Sequence, residues 1–254
     1  ELSILVLPYF AKRLTHIFYW GYSMETLIEN DVVGNSVISG NFCDAYAEVE
    51  KRVSEKHGKK LIVLPHGLED GFVLPNGYAG DVFYAMTEYS RDYLNRLYQT
   101  DKFVYDGAVI GNMLRKKAIN QTKRFVYFTD GTENQFDIDL VIHLSKLLKQ
   151  YEQKLYIKLH PHEKNIKYRG ITNTDYISRI DEALCGNVCI SRGSTVLVEA
   201  IYNSSVPVQA LIGDNNLACT NIIPSLEDKR IVHVLDYEEL DAFILAELMK
   251  ERLL

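Results

Sequence analysis

What most constrains this chain is a repeating pattern. Short, continuous, β-rich apolar runs alternate with amphipathic stretches along almost its whole length. The runs are Ile4–Leu7, Val32–Ser39, Lys60–Leu64, Val82–Ala85, Lys102–Tyr105, Phe125–Phe128, Lys154–Leu159, Val188–Ile190, Val206–Ala210 and Ile231–Val234. Most lack the period-2 alternation of a strand with one wet face, as expected of parallel strands buried on both faces. Helical patterns fall between them, at Phe42–His57, Ser90–Tyr98, Asp137–Tyr151, Thr195–Tyr202 and Leu240–Arg252. Gly58 stands where a helix stops, and Asp137 and Asp139 open the helix that runs to Tyr151. Strand–helix alternation of this kind builds doubly wound α/β sheets.

The 254 residues suffice for two such domains facing a cleft. The polar, basic stretch within Gly111–Lys123 reads as the link between them. It divides the chain into an N-terminal Rossmann-like domain, 1–117, and a C-terminal one, 118–254. The N-terminal domain reads as short, as though without its first βα unit, and the chain opens on Glu1 rather than Met.

Composition narrows the function by exclusion. A net charge of −6 argues against a nucleic-acid partner, which needs a basic face. No apolar run approaches the roughly 20 residues of a membrane span, and no basic segment precedes an apolar one as in a signal peptide. Cys43, Cys185, Cys189 and Cys219 form no Cys-x-x-Cys pair and no zinc-like spacing, so they read as thiols of a reducing compartment. No metal is expected.

In open α/β sheets ligands bind beyond the C-terminal ends of the strands, so the residues just after each run carry the functional information. After Leu61–Leu64 comes Pro65-His66-Gly67-Leu68-Glu69-Asp70-Gly71. Pro65 ends the strand, and a carboxylate of Glu69 or Asp70 could take a proton from an acceptor hydroxyl; the plainer reading is a carboxylate that caps the next segment. After Leu155–Leu159 comes His160-Pro161-His162-Glu163, with Lys158 and Lys164 adding positive charge. Pro161 holds His160 extended, and an imidazole there can bind a phosphate and neutralise a departing one. A structural histidine is the plainer reading.

After Val188–Ile190 comes Ser191-Arg192-Gly193-Ser194-Thr195, opening a helix that carries Glu199. Hydroxyls and amides at a helix start suit an anion, and Glu199 could accept a ribose hydroxyl; a simple Ser/Thr N-cap is the alternative. The turn is neither a Walker loop nor a nucleophile elbow. Thr129, Gly131 and Thr132, after Phe125–Phe128, could face donor or acceptor, or form only a turn.

The order strand–His66-Gly67–Glu69-Asp70-Gly71, link, fresh strand, strand–His160-Pro161, strand–Ser194-Thr195–helix–Glu199 resembles the bacterial sialyltransferases and polysialyltransferases of the GT-B fold, over roughly Val32 to Leu211. Wider kin are CDP-glycerol glycerophosphotransferases and capsule Kdo transferases. The resemblance implies Asp70 as the base that activates the acceptor, with Glu69 beside it, and His160 at the CMP phosphate. It implies Ser194 and Thr195 on that same phosphate; the strand-end reading adds Lys158, Ser191, Gly193 and Glu199 to the nucleotide site. In the glycerophosphotransferase-like variant His66 is the base. The implied reaction is metal-independent displacement from a CMP-activated sugar, without a cofactor, onto a bacterial surface glycan. The implied setting is the cytoplasm, with peripheral contact at the inner face of the membrane. Two rivals stand beside it: an alditol-phosphate transferase using a CDP-linked donor, and a non-catalytic nucleotide- or glycan-binding module. An epimerase of similar architecture would need a UDP-sugar pocket and more acidic catalytic groups.

Overall fold

A computed structural model describes residues 2–30, 32, 34–117, 122–129, 135–161, 163, 165–213 and 223–252. The chain forms two compact units, Glu1–Asp106 and Gly107–Leu254. The first begins with helix α1 (Leu2–Glu29), followed by β1 (Ser36–Ser39), α2 (Ala45–Lys56), β2 (Lys60–Val63), β3 (Val82–Tyr84), α3 (Glu88–Tyr98) and β4 (Phe103–Val104). Its four strands are parallel in the order β1-β2-β3-β4.

The strand expected over Ile4–Leu7 is instead part of α1. Periodicity cannot tell a short apolar run from a helical one, and here the following residues continue the helix. Gly21 lets α1 approach α2 closely, since a Cβ there would come within 2.9 Å of Val49 Cγ1. Trp20 Nε1 donates to the buried Glu50 at 3.0 Å, and Ser39 Oγ and Asn41 Nδ2 donate to the same carboxylate.

Local signals set the other helices. Asp44 caps α2 by accepting from Ala47 N at 2.9 Å, and Thr87 caps α3 by accepting from Ser90 N at 3.1 Å. Gly58, at φ +61°, takes the left-handed turn that ends α2. The core of this unit is aromatic. Tyr78, Phe83 and Phe103 are buried and meet at ring-centroid distances of 5.2–5.7 Å, mostly edge to face.

The second unit runs α4 (Gly107–Leu114), β5 (Phe125–Phe128), α5 (Gln135–Lys149), β6 (Leu155–Lys158), β7 (Thr174–Tyr176), α6 (Ile180–Leu184), β8 (Val188–Ser191), α7 (Val196–Ile201), β9 (Val206–Ala210), β10 (Val232–Val234) and α8 (Tyr237–Arg252). Every residue of β5 and β8 is buried, as continuous apolar runs predict for central strands. The parallel sheet has the order β7-β6-β5-β8-β9-β10. The chain starts in the middle, winds outward to β7, returns beside β5 and winds out the other way. That is the Rossmann order, with its reversal between β5 and β8. Asn203 binds the link to this unit, accepting from Lys116 N at 2.7 Å and donating to Leu114 O at 3.1 Å. Among the described residues no helix is long and apolar enough to cross a membrane.

Candidate functional site

The loop after β2 is fixed by tyrosine hydroxyls. Tyr78 Oη accepts from Asp70 N at 2.6 Å and donates to Asp70 O at 3.2 Å. Tyr93 Oη donates to Gly71 O at 2.5 Å, and Tyr98 Oη accepts from Leu74 N at 2.9 Å. Burial raises the Tyr78 and Tyr98 phenols above the ordinary range, and the Asp70 carboxylate adds to the rise in both. The phenols therefore stay protonated and keep their hydrogen bonds. Asp70 is half-buried, whereas Glu69 is buried and His66 exposed.

His66 Nδ1 lies 2.9 Å from Gly40 O and so carries its proton there, which leaves Nε2 as the basic nitrogen. The Cys43 thiol is raised by burial first and by Asp70 and Asp44 next. Cys43 also lines a cavity of about 290 Å³ with Phe42, Asp44, Lys51 and Asn76.

In the second unit the informative residues gather at the ends of β5, β6, β8 and β9. Thr129, buried just past β5, accepts from His160 N at 2.8 Å, and its own N donates to Lys158 O at 3.2 Å. Those bonds fix the backbone of the His160-Pro161 step against the neighbouring strand end. Phe128 pairs with Lys158, Tyr127 with Ile190, and Ser191 with Gln209. Strands lie about 4.8 Å apart, so the ends of β6, β5 and β8 span about 10 Å, the scale of a nucleotide.

Thr195 stands before α7 in helical conformation, φ −49° and ψ −28°, and makes no side-chain cap bond. Ser194 Oγ accepts from Val196 N at a long 3.4 Å. Among the described residues, Gly193 has nothing within 4 Å of where a Cβ would stand.

Two expected residues are engaged locally. Glu199 pairs with Lys116 at 3.1 Å, so a ribose hydroxyl would have to share or displace that ammonium. Lys158 Nζ makes a long 3.4 Å bond to its neighbour's carbonyl, Leu159 O. Gly131, Thr132, His162 and Lys164 lie outside the described residues.

Three polar residues near these strand ends carry no site role in the sequence reading. Arg192 directly follows β8, Gln209 is buried in β9, and Asp137 is buried in α5, where Tyr127 Oη donates to it at 2.6 Å. A glutamine inside an otherwise apolar central run was the available signal for the second. Asp137-Ile138-Asp139 has the spacing of a metal-binding Asp-x-Asp, but Asp137 holds Tyr127 while Asp139 accepts from Gln135 Nε2 at 2.9 Å. Among the described residues no three His, Cys, Asp or Glu side chains stand together as a metal site.

No family model and no curated protein matches the sequence. The fold is similar to that of the UDP-GlcNAc 2-epimerase of Methanocaldococcus jannaschii, solved in complex with UDP-GlcNAc and UDP. The TM-score is 0.53 and the identity 12%, covering 91% of this chain and 74% of that one. At that identity the likeness speaks to architecture alone. The chain has a GT-B-like fold of two parallel-sheet α/β units.

Proposed function

We propose that the protein transfers a sugar from a CMP-activated donor to a hydroxyl of a bacterial surface glycan. The observation that carries this reading is the fixing of His160 to Thr129 at adjoining strand ends, next to the reversal of strand order. An imidazole carried on that fixed backbone suits a donor phosphate, with the Ser194 and Thr195 hydroxyls and the Lys158 ammonium supplying further contacts. A GT-B-like neighbour that binds a nucleotide sugar supports the ligand class.

The chemistry is a single displacement. The acceptor oxygen bonds to the anomeric carbon as the bond from that carbon to the phosphate oxygen breaks. The electron pair leaves with CMP, whose growing charge His160 neutralises. The acceptor proton passes to Asp70, whose loop is kept rigid by Tyr78, Tyr93 and Tyr98.

Thermal shifts with CMP, CDP, UMP and UDP test the reading, because a ligand at a hundredfold its Kd stabilises by about 2.7 kcal/mol. Cytidine nucleotides should raise Tm in the wild type and not in His160→Ala. A preference for uridine nucleotides would overturn the donor assignment and favour an epimerase-like ligand. A second reading, transfer of an alditol phosphate from a CDP-linked donor, is favoured by the Nδ1 contact of His66 with Gly40 O, which readies Nε2 as a base. Products from CMP-sialic acid and CDP-glycerol separate the two, and loss of transfer in His66→Ala but not Asp70→Ala would select the second.

A further inference from the structure

Arg192 is a cation withdrawn from water without a counter-charge among the described residues. The residue is 9% exposed, and its guanidinium lies over the Phe136 ring, 5.2 Å from the centroid. Its buried Nε has no hydrogen-bond acceptor, and the side chain forms no ion pair with any described residue. Two further polar atoms at the same strand ends are unsatisfied. Ser191 Oγ and Gln209 Oε1 belong to fully buried residues paired across β8 and β9, and neither has a hydrogen-bond partner among the described residues. The Gln209 amide nitrogen is anchored, donating to Arg192 O at 2.8 Å, so its orientation is set and the bare oxygen is not an arbitrary flip.

A guanidinium does not shed its proton in a protein. The Phe136 face offsets only part of the cost of drying it. What completes such a group is an oxyanion, which its planar fork can grip with two parallel bonds. We propose that Arg192 is the counter-charge for an oxyanion of the bound donor, with Ser191 and Gln209 completing the contacts, and that it decides which donors are accepted. The inference borrows from the nucleotide-sugar reading only its choice of ligand. The oxyanion has two sources with one chemistry: the nucleotide phosphate, or a carboxylate on the transferred sugar.

Calorimetric titration of wild type, Arg192→Met and Arg192→Lys with cytidine, CMP, a CMP-linked carboxylated sugar and inorganic phosphate tests this. A charged hydrogen-bonded contact corresponds to roughly a 10- to 100-fold change in affinity. If the phosphate is the source, Arg192→Met weakens CMP by that factor. If the carboxylate is, CMP is unchanged and only the carboxylated donor weakens. In both cases cytidine binds as before, and Arg192→Lys recovers part of the loss.

The ligand-free Arg192→Met protein should melt no lower than wild type, since the change removes a buried unpaired charge; a merely structural arginine would lower Tm. Equal affinities of wild type and Arg192→Met for every ligand overturn the proposal. So does a fall in cytidine affinity in step with that for CMP, accompanied by a lower Tm. Phosphate binding that depends on Arg192, in a protein that takes no cytidine compound, sinks the nucleotide reading and leaves this inference standing.

Discussion

At the scale of single residues, the structure gives the β2 loop its rigidity through groups the sequence does not advertise. Glu69, Asp70 and His66 can be picked out because ionisable side chains after a buried run are unusual. Tyr78, eight residues on, looks like any of the chain's 17 tyrosines until its hydroxyl is seen between the amide and the carbonyl of Asp70. Tyr78→Phe leaves the aromatic packing in place and removes only that hydroxyl. The expected cost is about 1–3 kcal/mol, read as a lower urea midpoint with an unchanged m-value. Cys189 makes a second case. Burial pushes its thiol up to about 12. A thiol raised in the folded state contributes stability that is fully present below the unfolded pKa, about 8.5, and is lost as pH rises above it. The urea midpoint of the wild type should therefore fall more steeply between pH 8 and 10.5 than that of Cys189→Ala. Parallel curves would show that ionisation of this thiol does not matter.

Elements were legible where both faces of a strand are buried and obscure where they are not. Nine of the ten expected runs contain a strand of the structure, because apolar residues on both faces are what a central parallel strand requires. β7, Thr174–Tyr176, has no apolar run to reveal it, since it lies at the sheet edge and is only partly covered. The second half of α4 falls in a stretch that reads as a link, and the reason that end is bound within the second unit is a side chain far along the chain. Asn203 accepts from Lys116 N and donates to Leu114 O and to Glu199 O. Sequence distance conceals that kind of closure. Asn203→Ala strands three backbone partners and should cost roughly 2–4 kcal/mol. It should also release the backbone at Arg115-Lys116-Lys117, so limited trypsin digestion should cut there faster than in the wild type. A variant that unfolds at lower urea yet resists trypsin as before would place the role of Asn203 elsewhere.

At the scale of the whole molecule, the alternation of strands and helices foretold the architecture, while side chains from separate strands had to be seen together before the cluster of Ser191, Arg192 and Gln209 acquired its geometry. The molecule also carries two cores of different chemistry, and that has a measurable consequence. The first unit is closed by aromatic rings around Tyr78, Phe83 and Phe103, the second by aliphatic layers from Leu140, Leu144 and Leu148 of α5 against Leu155, Ile157, Val188 and Ile190. Each cluster draws its buried residues from its own unit, so damage to one removes no apolar contact within the other. Leu144 is fully buried, and Leu144→Ala should cost about 2–5 kcal/mol through lost transfer energy and the cavity left behind. Hydrogen exchange reports the two units separately: peptides covering β5, β6 and β8 should exchange faster in Leu144→Ala, while those covering β2 and β3 keep wild-type protection. The reciprocal change, Phe83→Ala, should reverse the pattern. If either substitution loosened both sheets alike, the chain would unfold as one cooperative body, and the stability of the β2 loop could no longer be argued from the aromatic cluster beneath it.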